Sequence, residues 1–403
     1  MPRNVVFVAP FPTDITMRFV RAAARLPDVR LLGVVHTPPP EGTYHDFVRV
    51  TDPLNVRDII DATEVLKQRH GQPFRILGIL EAMMVQLAQA RAHFGVPGTS
   101  PQVAELFRDK SKMKAALKAA GLPVARNRLI RNEQDARGFA QEAGFPMVLK
   151  PPAGMGARST WRVNSLDELL RGCAGIGASE HQPILAEEFL QGREFSFETI
   201  TIGGQPRVES ISHYLPSCLE VLENPWIQWT CLLPRDISGP EYSQAREMAR
   251  GAIRALGLQD GMTHMEWFQR PDGSLVIGEI AQRPPGANIS TMTGLAHGVD
   301  LFHAWSAALV DGSFDGPWER KYAVGSAFLR GMGHGRVASL SGLHEAHQKV
   351  GQHIVEANLP NIGAMKSDGY EGDGYIIVRD PSTDVVKSAL RTLIETIKVN
   401  YVS

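Results

Sequence analysis

The chain has 403 residues, 43% of them hydrophobic and 21% charged, a globular composition long enough for two or three domains. A formal net charge of −1 and the lack of a polybasic run exclude a nucleic-acid binder, and no apolar run is long enough to span a bilayer. Cys173, Cys218 and Cys231 stand far apart in no metal or redox spacing, and the first residues lack a signal-peptide core, so a cytoplasmic protein is expected.

Residues 4–9, "NVVFVA", form a continuous apolar run of the kind found in buried parallel strands. A helical pattern follows in "TDITMRFVRAAARL", with Thr13 or Asp14 as cap, then a strand in "VRLLGVV". The alternation continues through helical "LNVRDIIDATEVLKQRHG", strand-like "FRILGIL" and helical "EAMMVQLAQARAHF". It predicts an α/β unit with a parallel sheet, Rossmann-like in build, over residues 1–104. Its first strand–helix turn, "APFPTD", has no G-x-G-x-x-G, so the dinucleotide fingerprint is absent. "GVPGTSPQ" is a joint, and "VAELFRDKSKMKAALKAAG" reads as one polar helix closed by Gly121. "FPMVLKP" and "QPILAEEFL" read as strands, and residues 195–285 are strand-rich. Near the end, "GYIIVRD" predicts a strand and "STDVVKSALRTLIETIKV" a helix.

The stretch "HMEWFQRPDGSLVIGEIAQRPPG", residues 264–286, predicts a hairpin turning at Pro271-Asp272-Gly273. If 270 faces 275, Glu266 faces Glu279 and Phe268 pairs with Ile277. Opposed side chains lie about 5 Å apart, where like charges destabilise. Two readings follow: a cation such as Mg²⁺ sits between the carboxylates, or each has its own Lys or Arg on a solvated face.

Four stretches in register, "DKSKMKAALKAAGLPVAR", "GFPMVLKPPAGMGARST", "ILAEEFLQGREFSFETI" and the hairpin, resemble the ATP-grasp superfamily over most of the chain. Its members include biotin carboxylase, D-alanine–D-alanine ligase and the L-amino acid ligases. The resemblance implies an ATP-grasp fold of two α+β lobes behind the N-terminal domain. It places the nucleotide-binding and catalytic module at 105–310, a flexible lid lobe at about 123–190, and a C-terminal α+β subdomain at 311–403 that completes the catalytic lobe.

The same resemblance implies roles. Lys110 and Lys150 match the two nucleotide lysines, and "AGMGARS" matches the glycine-rich flap, where Arg158 and Ser159 either add phosphate contacts or belong to an ordinary polar loop. Glu187 would accept from the adenine amino group, the backbones of Glu188 and Leu190 would read the other adenine edge, and Glu194 would take the ribose hydroxyls. Glu266 and Glu279 become Mg²⁺ ligands; the usual third ligand, an asparagine, is replaced by Ala281, and Gln282 beside it points the other way on a strand. Arg283 matches the arginine that steadies an acyl phosphate. His213, Tyr214, Trp226, Trp229, His264 and Asn288 fall where relatives line the acceptor site, although a tryptophan pair at this spacing is also a packing pattern.

The implied activity is an ADP-forming carboxylate–amine ligase using ATP and Mg²⁺, with a small-molecule carboxylate and amine as partners and a homodimer allowed. A biotin carboxylase or carbamoyl-phosphate-type reaction is the near alternative. A nucleotide-binding regulator without turnover is the second, and Ala281 is the residue that favours it.

Overall fold

The computed structural model describes residues 2–154, 160–313, 316 and 318–402. At the N-terminus β1 (Arg3–Val8), β2 (Val29–Val35), β3 (Asp46–Arg49) and β4 (Arg75–Leu77) form a parallel sheet in the order β3-β2-β1-β4. The unbroken apolar run of β1 is explained by its two covered faces. Val5 and Phe7 enter one core with Phe19 and Trp305, while Val6 and Val8 enter another with Ile59 and Leu87. Thr13 caps the helix Asp14–Ala24 by accepting from the Thr16 N–H. Strand β3 was not visible in the sequence, because it is a four-residue, half-exposed edge strand.

The single polar helix expected after the joint is two helices, Pro101–Arg108 and Lys110–Ala119. Asp109 breaks it: its backbone is extended and its carboxylate accepts from the N–H groups of Ser111 and Lys112. Lys110 therefore occupies the first turn of a new helix rather than the middle of a long one.

Residues 127–188 contain an antiparallel sheet in the order β5-β8-β6-β7, built from β5 (Asn127–Ile130), β6 (Met147–Lys150), β7 (Trp161–Val163) and β8 (Ile184–Glu188). Phe139, Leu149 and Leu169 lie in its own core. The largest sheet has eight strands in the order β13-β12-β9-β10-β11-β14-β17-β16. They are β9 (Arg193–Ile202), β10 (Gln205–Leu215), β11 (Thr230–Leu233), β12 (Gly261–Gln269), β13 (Leu275–Ala281), β14 (Ala323–Leu329), β16 (Ile354–Asn358) and β17 (Gly374–Asp380). The helix Pro240–Leu256 covers one face of β9, β12 and β13, against Phe195, Phe197, Met265 and Trp267.

The C-terminal helix is shorter than expected. It ends at Thr396, and Lys398–Val402 is a strand, β18, paired with β15 (Arg336–Ser341).

The hairpin forms and Glu266 does face Glu279, but its register differs from the expected one. Trp267 pairs with Ile277 and Phe268 with Val276, so Gly278 is an extra residue in β13, a β-bulge. Glycine suits it because a Cβ there would lie 3.0 Å from the Phe268 ring.

Candidate active site

A cavity of about 870 Å³ lies between the sheet of residues 127–188, the site face of the eight-stranded sheet, the helix Lys110–Ala119 and the carboxyl end of β4. Strand alternation builds its floor. Glu194 on β9, His264 and Glu266 on β12 and Glu279 on β13 face the cavity, while their neighbours Phe195, Met265 and Trp267 face the helix-covered core.

Lys110 Nζ lies 2.8 Å from Glu279 Oε1 and donates to the Gly154 carbonyl at 2.9 Å. Burial alone would raise the Glu279 pKa, but Lys110 and Lys150 outweigh it and hold the carboxyl well below its usual range. Glu266 lies 3.6 Å from His264 Nε2. The other ring nitrogen, Nδ1, is 2.9 Å from the buried Glu198. Burial works against the imidazolium, yet Glu198 and Glu266 raise its pKa to about 9. Tyr214 Oη sits 3.4 Å from the same Nε2.

Lys150 Nζ lies 2.9 Å from Glu187 Oε2, and Lys114 Nζ lies 3.3 Å from Oε1 of the same carboxylate. Lys114 also donates to the carbonyl of the bulge residue Gly278 at 2.6 Å. Desolvation lowers the Lys114 pKa against the pull of Glu187, whereas for Lys150 the pull of Glu187 and Glu279 exceeds the desolvation and raises it. The Glu187 carboxylate is thus held by two lysines at the floor of the cavity. Glu188 pairs with Arg126 at 2.9 Å and Arg270 at 2.9 Å, and its N–H donates to the Arg126 carbonyl. Leu190 lines the cavity beside it. Glu194 accepts from the Cys218 N–H at 3.0 Å, and burial, then the neighbouring Glu266, push its pKa up.

Arg283 Nε pairs with Glu81 at 2.8 Å, and Arg108 reaches the same carboxylate at 3.3 Å. Glu81 follows β4, so the N-terminal sheet contributes directly to the site.

Tyr214 and His264 line the cavity, but four of the residues expected at an acceptor site do not. His213 is one position from Tyr214 and so faces the opposite side of β10, where Nε2 lies 2.9 Å from Tyr242 Oη. Trp229 is buried against Tyr214 and Phe328, its indole N–H donating to the Pro216 carbonyl. Trp226 is 65% exposed and stands outside. Asn288, at φ 59°, precedes the helix Ile289–His297 and is not in the wall. Arg158 and Ser159 lie outside the described residues. Sequence reading missed Lys114, Glu198 and Glu81. Lys114 had a signal, its i+4 spacing from Lys110 on a face shared with Met113 and Leu117.

Glu266 and Glu279 offer opposed oxygen donors beside Lys110, Lys150 and Arg283, which fits a divalent cation carried in with phosphate oxygens. Ala281 adds no ligand, and Gln282 donates to Thr99, away from the cavity. Among the described residues no cluster of three or more His, Cys, Asp or Glu is arranged to enclose a metal by itself. Phosphate oxygens and water would supply the remaining positions.

Residues 115–297 match the ATP-grasp domain. The chain carries an ATP-grasp domain. The L-arginine-specific L-amino acid ligase of Bacillus subtilis is 28% identical over 266 residues, covering 63% of this chain and 62% of that protein. The alanine–anticapsin ligase of Bacillus amyloliquefaciens is 26% identical over 284 residues, 66% of this chain and 56% of that protein. The chain therefore matches less than two-thirds of the length of either relative. The crystal structure of an L-amino acid ligase from Bacillus licheniformis superposes over 100% of this chain and 99% of its own, with a TM-score of 0.82 at 19% identity. The chain thus has the fold of that structure over its whole length, with the ATP-grasp match at residues 115–297 behind the parallel N-terminal sheet.

Proposed function

We propose that the chain is an ATP-dependent, ADP-forming ligase that joins a small-molecule carboxylate to an amine through an acyl phosphate. The observation that carries this reading is the pairing of Glu266 with Glu279 in one cavity with Lys110, Lys150 and Arg283. The named ligases among its relatives support the reaction class.

In this reading the triphosphate lies along Lys150 and Lys110, with adenine towards the Glu188 carbonyl and Leu190 and the ribose towards Glu194. Glu187 acts by fixing Lys150 and Lys114, besides any contact with the adenine amino group. Mg²⁺, held by Glu266 and Glu279, would neutralise phosphate charge. The substrate carboxylate attacks the γ-phosphorus as the bond to ADP breaks; the neutral amine then attacks the acyl carbon, the acyl–oxygen bond breaks, and phosphate leaves carrying the proton lost by the amine. The chain's contribution is positioning and fixed positive charge, with Arg283, held by Glu81 and the Pro284 carbonyl, lending its charge to the transferred group. Tyr214 and the Glu198-held His264 stand beside the carboxylate pair and are placed to meet the acceptor.

Incubation with Mg²⁺, ATP, hydroxylamine and a panel of amino acids tests the proposal. ADP and hydroxamate formed together support it. Tight ATP binding with no ADP over the whole panel would favour the regulator reading, which the absence of a third protein oxygen at Ala281 keeps open.

A further inference from the structure

A second, smaller cavity of about 110 Å³ lies behind Arg283, between β4, the start of β12 and the helix Leu301–Asp311. Arg283 and Pro284 border both cavities, but the polar wall of the smaller one is its own: Arg75, Arg91, Thr99, Asp260 and Gln282.

Two guanidinium groups face it without a carboxylate partner. Arg91 Nε donates to the Ile76 carbonyl at 2.8 Å. Arg75 Nε donates to the Leu309 carbonyl at 3.0 Å and Nη1 to the Phe74 carbonyl at 2.9 Å. Backbone carbonyls thus fix both forks and leave their remaining N–H groups open. Asp260 pulls on Arg75 electrostatically but its Oδ1 is engaged by the Gly203 N–H at 2.9 Å. Burial lowers the Arg91 pKa to about 10 with no anion to offset it. The chain makes room for this arginine: Gly98 has φ 146°, and a Cβ there would lie 2.8 Å from Arg91 Cδ. Gln282 is 9% exposed, gives its N–H to Thr99, and leaves Oε1 without a partner.

Arg75 and Arg91 are only partly buried, whereas Gln282 Oε1 is an enclosed acceptor, which is costly unless bonded. The unmet need of the wall is a donor for Gln282 Oε1, and a species that brings this proton while accepting from the two guanidinium groups would suit it. We propose that this cavity binds hydrogen phosphate, its bare oxygens on Arg75 and Arg91 and its P–OH donating to Gln282 Oε1. A carboxylate or a sulfate satisfies the arginines but brings no proton for Gln282, so phosphate is preferred over both. The site is separate from the phosphate-binding lysines of the large cavity and does not rest on the ligase reading.

Radiolabelled phosphate binding to the full chain tests it, in chloride buffer of fixed ionic strength with sulfate and acetate as competitors. Arg91→Gln is expected to weaken one phosphate site by roughly tenfold or more, the scale of one charge-assisted bond. Gln282→Leu is expected to erase the preference for phosphate over sulfate. Unchanged phosphate binding in Arg91→Gln overturns the proposal, as does a wild-type site that takes sulfate as well as phosphate. Arsenate, a protonated isostere, covers the case of a misfolded variant. Anomalous scattering from wild-type crystals soaked in arsenate should show a peak beside Arg91, and peaks confined to the large cavity would overturn the assignment.

Discussion

At the residue scale, Glu194 is pulled two ways. Its carboxyl is buried beside Glu266, so its pKa in the fold is about 8, above the unfolded carboxylate value near 4.3. The unfolded chain releases this proton first as pH rises. Stability is therefore lost between about pH 4 and pH 8 through this group. Glu194→Gln should flatten that part of the urea-midpoint profile and stabilise the protein at pH 8, since glutamine can still accept from the Cys218 N–H. The same change should weaken ATP binding if the ribose lies there; unchanged affinity by calorimetry would remove that role. Glu279→Gln bears on the metal reading. It should lower turnover by on the order of 10²–10³-fold, the scale of one lost electrostatic stabiliser, while the melting curve stays cooperative. Full activity in that variant would rule the carboxylate out as a ligand.

At the element scale, much of the site was legible because period two is a strong rule. Glu266 opposite Glu279 followed from a count that set 270 against 275, and the pair stands although Gln269 is the partner of Leu275, because the extra Gly278 makes up the difference of one. The bulge at Gly278 did not, although a lone glycine inside a strand is a mark of one. His213 was misplaced for the opposite reason: the parity of β10 relative to the cavity is set by its neighbours β9 and β11, which a single strand does not reveal. The helix break at Asp109 was readable in principle, as an aspartate that caps the next turn. Asp109→Ala should cost about 1 kcal/mol of stability by urea unfolding, and it should also reduce nucleotide affinity by loosening the turn that carries Lys110. A loss of stability with nucleotide affinity unchanged would separate the cap from the site.

At the scale of the whole molecule, the N-terminal unit and the eight-stranded sheet share one core. Phe7, Phe19 and Leu77 pack with Ile200, Met262 and Trp305. Arg18 adds a forked pair to Glu356, at 2.7 and 3.2 Å, and donates to Thr291 at 3.3 Å. Arg18→Met should leave the global unfolding midpoint nearly in place, since partly exposed pairs contribute about 1 kcal/mol or less. It should also speed amide exchange along Asp14–Ala24; protection equal to wild type there would mean that the shared core alone holds the interface. None of this was legible in the sequence, because the partners are separated by more than one hundred positions, Arg18 from its own by more than two hundred, and neither side has a local pattern that names the other.

The reach of Glu81 across that interface has a consequence for how the parts communicate. Its carboxylate is shared by Arg283 and Arg108. A negatively charged guest that recruits Arg283 must compete with Glu81 for it, and a Glu81 deprived of that arginine is a poorly neutralised charge in a confined place. Occupancy of the large cavity and the seating of the first hundred residues are then two sides of one equilibrium: whatever tightens the one strains or relaxes the other by an equal amount of free energy.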